Sequence, residues 1–275
     1  MPHKSTNRRT FSLAADEGLE VRYYFCDGEE VGAPRVFPPH VHDFLELYIL
    51  IEGDVSFMVE DRLFSLRPGD VVLSKPNEMH HCILNSISKH RHACFWVDTS
   101  AKTLIAPFLA VPLGDANLVR PTEEDAGAIE AILYRLYEED VDQMEHLCLL
   151  CDLLFRVRRN ISERQTVDPM LPPLLQSILC DIAECYRDID DLDYFTEKYF
   201  ISRSTLNRLF REYLHTTPHM YLETKRLARS RELLKQGKSV TEACTEAGFC
   251  DCSHFIRLFR QRFEITPLQY KNSNA

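Results

Sequence analysis

A repeat near the C-terminus constrains this 275-residue chain more than any other feature of its sequence. The run STLNRLFR begins at Ser204 and returns as SHFIRLFR at Ser253, and each run is followed by a Thr-Pro-x-x-Tyr pattern that ends at Tyr221 or Tyr270. Every matched pair is 49 positions apart, the difference between 253 and 204. Since a fixed offset indicates one structural unit used twice, we expect residues 174–275 to form an all-α domain with two copies of one motif.

The residues around each run predict two helices joined by a tight turn. In the first copy, a helix at Leu192–Lys198 precedes a longer helix that Ser202 can cap. In the second copy, Ser239 and Glu242 have the spacing of a capping box, and Gly248 supplies the turn before the longer helix. A short helix, a turn and a longer helix with an exposed polar face are typical of a DNA-binding helix-turn-helix.

The longer helix of each copy predicts the contacts with DNA. Leu206, Leu209 and Phe210 fall on one apolar face of the first such helix, and the opposite face is polar. Arg and Asn side chains suit the guanine and adenine edges in the major groove, and Ser and His can reach bases or phosphates. We therefore expect contacts with double-stranded DNA from Arg203, Ser204, Asn207, Arg208 and Arg211 in the first copy, and from Ser253, His254, Arg257 and Arg260 in the second.

The distribution of charge agrees with a nucleic-acid partner. The whole chain carries a net charge of −10, which by itself argues against one. Residues 198–275, however, contain 14 Lys and Arg against 7 Asp and Glu, a net charge of +7, so the preceding residues carry −17. A basic segment of this kind can approach phosphates while the acidic part of the chain faces away.

The segment between the two copies predicts one long helix. Thr217 and Pro218 have the residue types of a helix start, and Gly237 predicts its end. About 19 residues at ~1.5 Å each give roughly 28 Å, against ~34 Å between successive major-groove faces on one side of B-DNA. One connecting helix can therefore place the two motifs in adjacent grooves. Because their polar faces differ, we expect each subunit to read an asymmetric site.

With these motifs, the C-terminal segment resembles the DNA-binding domain of the AraC/XylS family of transcription regulators over about residues 175–271. It departs from the family pattern at His215 and Glu264, where the family usually has glycine, and at Lys271, where it has arginine. A non-glycine residue in a left-handed turn costs up to ~1 kcal/mol, so these departures loosen turns and leave the reading helices in place. The residues that match the family's second unit are Ala243, Gly248, Phe249, Ser253, Phe255, Arg257, Phe259, Arg260, Phe263, Thr266, Pro267 and Tyr270.

Residues 1–160 predict a domain of another class. From about Val21 to Asp98 the chain consists of short segments rich in β-branched and aromatic residues and separated by turn signals, a pattern typical of an all-β barrel or sandwich. From Thr122 the apolar residues take helical spacing in two adjacent segments, 123–140 and 141–160. Residues 161–173 are polar and proline-rich without periodicity, so we expect them to link the two domains.

A set of histidines and a glutamate marks the candidate site of this domain. The pattern His40-x-His42-x-x-x-Glu46, followed later by His80-His81, resembles the two motifs of the cupin fold, a double-stranded β-helix; either His80 or His81 can be the inward residue. In cupin enzymes such a set binds a divalent metal. In AraC-type regulators the resemblance implies instead a cupin-like barrel that holds a small-molecule effector, commonly without metal. We favour an effector pocket with His40, His42, Glu46, His80 and Trp96, with no cofactor required; a divalent metal at His40, His42, Glu46 and His80, or a purely structural role, stays open.

Neighbouring residues have simpler interpretations. By strand position, Tyr48, Phe57 and Phe95 are candidate walls of the effector pocket. We interpret His90 and His92 as exposed loop histidines.

The second predicted helix has an apolar stripe that can cover the barrel or pair two subunits. We interpret Cys148-x-x-Cys151, which lies on this stripe, as part of a buried or dimer face rather than a redox or metal site. The stripe consists of Met144, Leu147, Cys148, Cys151, Leu154 and Phe155.

Together these features predict a one-component regulator that binds a double-stranded DNA operator, a small-molecule effector and a second copy of itself, and RNA polymerase if it activates. We expect it to be no enzyme, and to work in the cytoplasm, since the sequence has no signal peptide and no run of the ~18 apolar residues that a membrane span needs. The alternatives are a metal-dependent cupin enzyme with an appended DNA-binding tail, and a DNA-binding protein whose barrel only dimerises.

Overall fold

The structure is a computed structural model that describes residues 6–12, 20–30, 33–98, 102–161 and 171–273. Its contacts divide the chain into two compact units that meet in sequence between residues 170 and 171, with the short segment Pro38–Val41 grouped with the second unit. Within the described ranges, no helix is long and apolar enough to cross a membrane.

The first unit contains two antiparallel sheets. Their strands in chain order are β1 Thr6–Ser12, β2 Glu20–Glu30, β3 Arg35–Val36, β4 Leu45–Glu52, β5 Val55–Val59, β6 Arg62–Ser65, β7 Val71–Ser74, β8 His80–Leu84, β9 Lys89–Val97 and β10 Leu118–Val119. The strand order in the larger sheet is β1-β2-β9-β4-β7-β10, and in the smaller sheet it is β3-β8-β5-β6. The all-β class predicted for this region is confirmed.

The two faces of the larger sheet have different neighbours. Successive side chains of a strand point to opposite faces, and β4 shows the consequence. Leu45 and Leu47 pack in the core shared with the helices of this unit. Tyr48 and Leu50 pack in a second core with Phe57 of the smaller sheet. The two sheets therefore face each other and enclose an interior, which we call the barrel interior.

The barrel interior corrects two predictions. His90 and His92 belong to β9 and are only 2% and 8% exposed, so their interpretation as exposed loop histidines was wrong. Phe95 packs with the helices on the outer face of the sheet, so it cannot be a wall of an interior pocket. Tyr48 and Phe57 do face the interior.

The described residues of this unit also form α1 (Lys102–Leu109), which precedes β10, and α2 (Glu123–Tyr137) and α3 (Gln143–Arg159), which follow it. α2 and α3 correspond to the two predicted helical segments, and both pack on the outer face of the larger sheet. The carboxylate of Asp125 on α2 accepts hydrogen bonds from Arg156, Arg159 and Asn160, which ties the start of α2 to the end of α3.

The predicted apolar stripe of α3 is only partly buried. Leu154 is buried together with Leu150 and Val157, whereas Met144 and Phe155 are 68% and 61% exposed. Cys148 is exposed and Cys151 is half-buried. The side of α3 that covers the sheet is therefore rotated from the predicted stripe.

From residue 171 onward, the described residues of the second unit form an all-helical domain. Its helices are α4 Pro173–Cys185, α5 Asp193–Tyr199, α6 Arg203–Leu214, α7 Pro218–Lys235, α8 Val240–Glu246, α9 Cys252–Phe263 and α10 Pro267–Ser273. The pairs α5–α6 and α8–α9 are the two helix-turn-helix motifs, which we call the first and second copies, and α7 connects them. The helical class predicted for this region is confirmed.

The predicted helix starts are confirmed in both copies. The Ser202 hydroxyl accepts a hydrogen bond from the Thr205 backbone, and Asp251 caps α9. Ser239 and Glu242 form both hydrogen bonds of the capping box at the start of α8. These caps satisfy backbone N–H groups that have no partner within the helix.

The helix ends show where left-handed backbone is needed. His215 after α6 has φ 50° and Glu264 after α9 has φ 64°, at the two positions where the family usually has glycine. In the turn of the first copy the left-handed residue is Phe200, with φ 53° and 94% exposure. In the second copy it is Gly248, with φ 88°, where an added Cβ would lie 2.8 Å from the Cα of Arg187.

The connecting helix α7 is anchored along its length. Arg226 donates hydrogen bonds to the carbonyl oxygens of Tyr186 and Ile189, which lie between α4 and α5. Arg231, only 3% exposed, lies over the rings of Phe263 and Tyr270, with 4.8 Å and 5.4 Å from its Cζ to the ring centroids. The ring centroid of Tyr221 on α7 lies 5.6 Å from that of Phe210 on α6, so α7 is tied to both copies.

Candidate nucleic-acid interface and barrel site

The polar face of α6 is available to a partner. Leu206 and Phe210 are fully buried beneath it. Of the five residues predicted to contact DNA, Asn207 is half-buried and the other four are exposed. The residues that line one open groove on this face are Ser204, Asn207, Arg208, Arg211 and Glu212.

Two arginines of α6 have carboxylate partners. Arg203 donates from Nε to Asp193 at 2.6 Å and from Nη2 to Asp191 at 2.7 Å, so it is drawn toward α5. The hydrogen bond from Arg203 holds the pKa of Asp193 below its usual range. Arg208 donates to Glu212, one turn further along α6, at 3.0 Å. An exposed ion pair such as that between Arg208 and Glu212 contributes little stability, so a phosphate or base can displace it at small cost, whereas two carboxylates hold Arg203.

The polar face of α9 is arranged differently. Ser253, Arg257 and Arg260 are exposed, as predicted for DNA contacts, whereas His254 is half-buried. The Nε2 of His254 lies 2.9 Å from the Oε1 of Glu223 on α7, and its Nδ1 lies 3.0 Å from the Nη2 of Arg257. His254 is therefore held between the connecting helix and an arginine of its own helix.

The sequence reasoning missed the acidic residues beside both reading helices. Asp193 and Glu223 come from other helices and Asp191 from the segment before α5, and no local pattern points to their contacts. The pair of Arg208 with Glu212 has helical i, i+4 spacing and could have been predicted.

The N-terminal site centres on Glu46, which is 7% exposed. Its Oε2 accepts a hydrogen bond from the indole N–H of Trp96 at 2.6 Å, and lies 3.1 Å from the Nε2 of His42 and 4.0 Å from the Nε2 of His80. The structure thus brings Glu46, His42, His80 and Trp96 together, and it makes His80 the histidine of the His80-His81 pair that faces Glu46.

The ring nitrogens of the two histidines have a consistent orientation. The Nδ1 of His42 lies 3.1 Å from the Phe44 carbonyl oxygen, and the Nδ1 of His80 lies 2.9 Å from that of Glu78. A carbonyl only accepts, so each Nδ1 carries a proton and each Nε2 is directed at Glu46. In His42, the Nε2 opposite that N–H is therefore the ring atom directed at the Glu46 carboxyl.

Ligand atoms of His40, His42, Glu46 and His80 all lie within 4.8 Å of one another. Metal-ligating histidines usually have their other ring nitrogen fixed by a carbonyl or carboxylate, as His42 and His80 do here. The donor set of imidazoles and one carboxylate suits a divalent transition metal. The residues present therefore fit such an ion.

Deeper in the barrel interior lies a set of neutral groups. The hydroxyl of Tyr24 lies 3.0 Å from the Nε2 of His92, and that of Tyr48 lies 2.8 Å from the Nε2 of His90. Burial, and the neighbouring His90, lower the pKa of His92 to about 3. Burial raises the pKa of Cys82 to about 12. At neutral pH these groups offer hydrogen bonds without charge.

Comparison with known protein families agrees with both units. A helix-turn-helix domain model matches residues 195–273, and the model of the AraC-like ligand binding domain matches residues 26–97. The chain belongs to the AraC family of transcription regulators. As a member of this family, it is a DNA-binding regulator with an N-terminal ligand-binding domain.

Individual relatives cover most of the chain. It is 23% identical over 252 residues to the HTH-type transcriptional activator RhaR of Escherichia coli, an alignment that spans 87% of this chain and 89% of that protein. Among solved structures, ToxT of Vibrio cholerae O395 is 13% identical with 98% coverage of both chains and a TM-score of 0.38. The C-terminal domain of the response regulator yesN of Fusobacterium nucleatum is 30% identical over 35% of this chain, with a TM-score of 0.34. The fold assignment rests on the strands and helices described above.

Proposed function

We propose that this AraC-family protein is a one-component regulator in which a small molecule bound in the barrel interior changes how the two helix-turn-helix motifs are presented to an operator. The observation that carries the proposal is the convergence of Glu46, His42, His80 and Trp96 at one enclosed point of the ligand-binding domain. For the ligand to act as a switch, it must bind two arrangements of the protein with different affinity.

The chemistry of the barrel interior favours one class of effector. Glu46 offers a carboxylate acceptor, and Tyr24, Tyr48 and His92 offer neutral hydrogen-bonding groups. An uncharged molecule with several hydroxyl or amide groups, or one with a positive charge, matches such a set. We therefore place the effector against Glu46, His42, His80 and Trp96, with His40 at the edge of the site.

A second candidate for the same site is a resident divalent metal. It is favoured by the Nε2 atoms of His42 and His80, which are directed at Glu46 while carbonyl oxygens fix the opposite nitrogens. An ion held there by His40, His42, Glu46 and His80 could organise an effector or, in a cupin enzyme with a DNA-binding tail, serve as a Lewis acid. We favour the effector-binding, non-enzymatic function because the family consists of regulators.

Metal analysis and ligand screening separate the candidates. We expect protein purified without added metal to contain no stoichiometric metal, and at least one neutral polar metabolite to raise its melting temperature. The Trp96→Phe variant, which removes one donor to Glu46, should weaken that stabilisation. Stoichiometric metal that disappears in His42→Ala would support the metal instead. If no ligand raises the melting temperature and no stoichiometric metal is found, both candidates fail and the barrel would serve only for dimerisation.

For the DNA-binding unit, we propose that the exposed side chains of α6 and α9 contact the operator, with Arg208 and Arg257 reading base edges and Arg203, held by Asp191 and Asp193, contributing least. Arg208→Ala and Arg257→Ala should each cost ~1–3 kcal/mol of specific binding. Arg229→Ala, on α7 and paired with Glu232, is a matched control that should change binding little. Unchanged footprints in both reading-helix variants would contradict the assignment.

We also propose that the protein works as a homodimer in the cytoplasm, paired through α3. The support is the exposed apolar residues Met144 and Phe155 on that helix. Met144→Glu with Phe155→Glu should shift the protein toward monomer in sedimentation velocity, whereas an unchanged mass would place the interface elsewhere. If the regulator activates, RNA polymerase is a further partner.

A further inference from the structure

Glu223 lies outside both reading helices, yet it is linked to an arginine proposed to read bases. Its side chain is 16% exposed, on α7. Its Oε1 lies 2.9 Å from the Nε2 of His254, and the Nδ1 of the same ring lies 3.0 Å from the Nη2 of Arg257. The other carboxylate oxygen lies 3.3 Å from the Nδ1 of His219, one turn earlier on α7.

The donors in this chain of contacts determine the state of the imidazole. A guanidinium group only donates, so the Nδ1 of His254 must accept from Arg257 and carries no proton. A neutral imidazole then has its proton on Nε2, and this N–H donates to Glu223. The order of donation is therefore Arg257 to His254 to Glu223. The carboxylate makes the imidazole a better acceptor for the arginine, as second-shell carboxylates do for metal-bound histidines.

The contact with His254 leaves Arg257 able to bind a base. Arginine has five N–H donors, and His254 occupies one of them. The other donors of the guanidinium edge still allow the two parallel hydrogen bonds with which arginine reads guanine. A side chain that is already held in one conformation also loses less freedom when it binds.

We propose that Glu223 and His254 are positioning residues that set how strictly Arg257 discriminates between base pairs. The proposal rests on the base-reading role of Arg257 proposed above. It assigns to His254 a role other than the direct DNA contact predicted from the sequence.

The first copy lacks this arrangement and therefore serves as an internal reference. The residue 49 positions before His254 is Thr205, a short side chain whose hydroxyl lies 3.0 Å from that of Ser202. Arg208, the counterpart of Arg257, pairs with Glu212 on its own helix. A change at Glu223 should thus affect the base pair read by the second copy and leave that of the first copy alone.

The test uses the full-length protein and DNA. A duplex pool with a randomised 30-base-pair centre is selected with the unsubstituted protein, and affinities are then measured on the selected duplex and on its single-base variants. Arg257→Ala identifies the base pair read by Arg257, where discrimination should fall roughly 5- to 150-fold. Glu223→Ala and His254→Ala should lower discrimination at that same base pair by ~2- to 10-fold.

Two variants serve as controls. Glu223→Gln keeps an acceptor for the Nε2–H of His254 and should retain most of the discrimination. Glu232→Ala removes a carboxylate from the same helix that pairs with Arg229, and should change no single position selectively. The double variant Glu223→Ala/Arg257→Ala should discriminate no worse than Arg257→Ala alone, because Glu223 acts through the arginine.

The outcomes separate this proposal from the one on which it depends. If Arg257→Ala changes no position, the base-reading assignment fails. If Arg257→Ala changes one position but Glu223→Ala and His254→Ala leave it intact, or weaken all positions equally, the positioning role is overturned. If Glu223→Ala lowers the melting temperature, the test uses Glu223→Gln and His254→Ala instead. The positioning role then requires that His254→Ala loses discrimination at the base pair read by Arg257 and that Glu223→Gln keeps most of it.

Discussion

The two helix-turn-helix copies share one sequence pattern and differ in how their reading helices are held. In the first copy the left-handed turn residue is the exposed Phe200, and Arg208 pairs within its own helix. In the second copy Gly248 packs against the backbone of Arg187, and Arg257 is linked through His254 to α7. The repeat therefore preserves the residues that build the motif, while the contacts that orient the reading side chains are particular to each copy.

The turn of the second copy offers the strongest way to test this difference. Gly248→Ala should destabilise the second unit by about 2–4 kcal/mol, because it combines a left-handed backbone with a Cβ placed 2.8 Å from Arg187 Cα. Chemical denaturation followed by far-UV circular dichroism measures the loss. Gly237→Ala is the matched control: φ is 87° and no atom lies within 4 Å of its Cβ, so only ~1 kcal/mol is expected. Equal losses of unfolding free energy in the two variants would show that the close approach of Gly248 to Arg187 does not affect stability.

The helix caps predict a smaller difference in stability between the two copies. Ser239→Ala removes one half of a capping box, whereas Ser202→Ala removes a cap on the Thr205 backbone that has no reciprocal side-chain bond, together with hydroxyl contacts to Ser204 and Thr205. We expect a cost of about 1–2 kcal/mol for Ser239→Ala and ~1 kcal/mol for Ser202→Ala. The same denaturation experiment compares them, and a larger loss in the first copy would reverse the ranking.

At the residues that end the reading helices, we predict that substitution by glycine increases the stability of the unit in both copies. His215→Gly and Glu264→Gly each replace a left-handed non-glycine residue and should stabilise the unit by up to ~1 kcal/mol, with the smaller gain for His215. The rise in melting temperature measures the effect. A loss of stability in either variant would mean that the side chain has a contact worth more than the backbone strain.

Arg203 predicts the smallest effect on binding. Because its guanidinium is engaged by Asp191 and Asp193, Arg203→Ala should change affinity for the selected duplex by less than ~0.5 kcal/mol. The loss of affinity in Arg208→Ala, on the same helix, is the reference for this comparison. A loss as large as that of Arg208→Ala would show that Arg203 leaves its aspartates on the DNA and would restore the direct contact predicted from the sequence.

The sequence predicted the second unit well because its signals are local. The caps at Ser202 and Ser239, the start of α7 at Pro218 and the left-handed positions His215 and Glu264 each depend on a few neighbouring residues. The contact between Glu223 and His254 joins residues 31 positions apart on two helices, and only the packing of those helices brings them together.

The barrel was harder to predict because both faces of its central strands are buried. On β9, Phe95 and Trp96 point to opposite sides, and alternation alone cannot say which side is the interior. His90 and His92 occupy the interior face, where polar residues are an exception to the usual pattern. The structure brings together His42, Glu46 and His80, which the resemblance to the cupin motifs pointed to, while their binding function stays a prediction.

The anchoring of α7 to both copies has a consequence for the spacing of an operator. With Tyr221 packed against Phe210 of α6, and Arg231 held between Phe263 and Tyr270, the two reading helices keep a set rotational relation. B-DNA turns once in ~10–10.5 base pairs, so each base pair inserted between the two sub-sites rotates one of them about the duplex axis by roughly 35°. Five inserted base pairs would carry one sub-site to the far side of the duplex, out of reach of its helix. The protein would therefore distinguish operators by the rotation between their two sub-sites as well as by their base sequence.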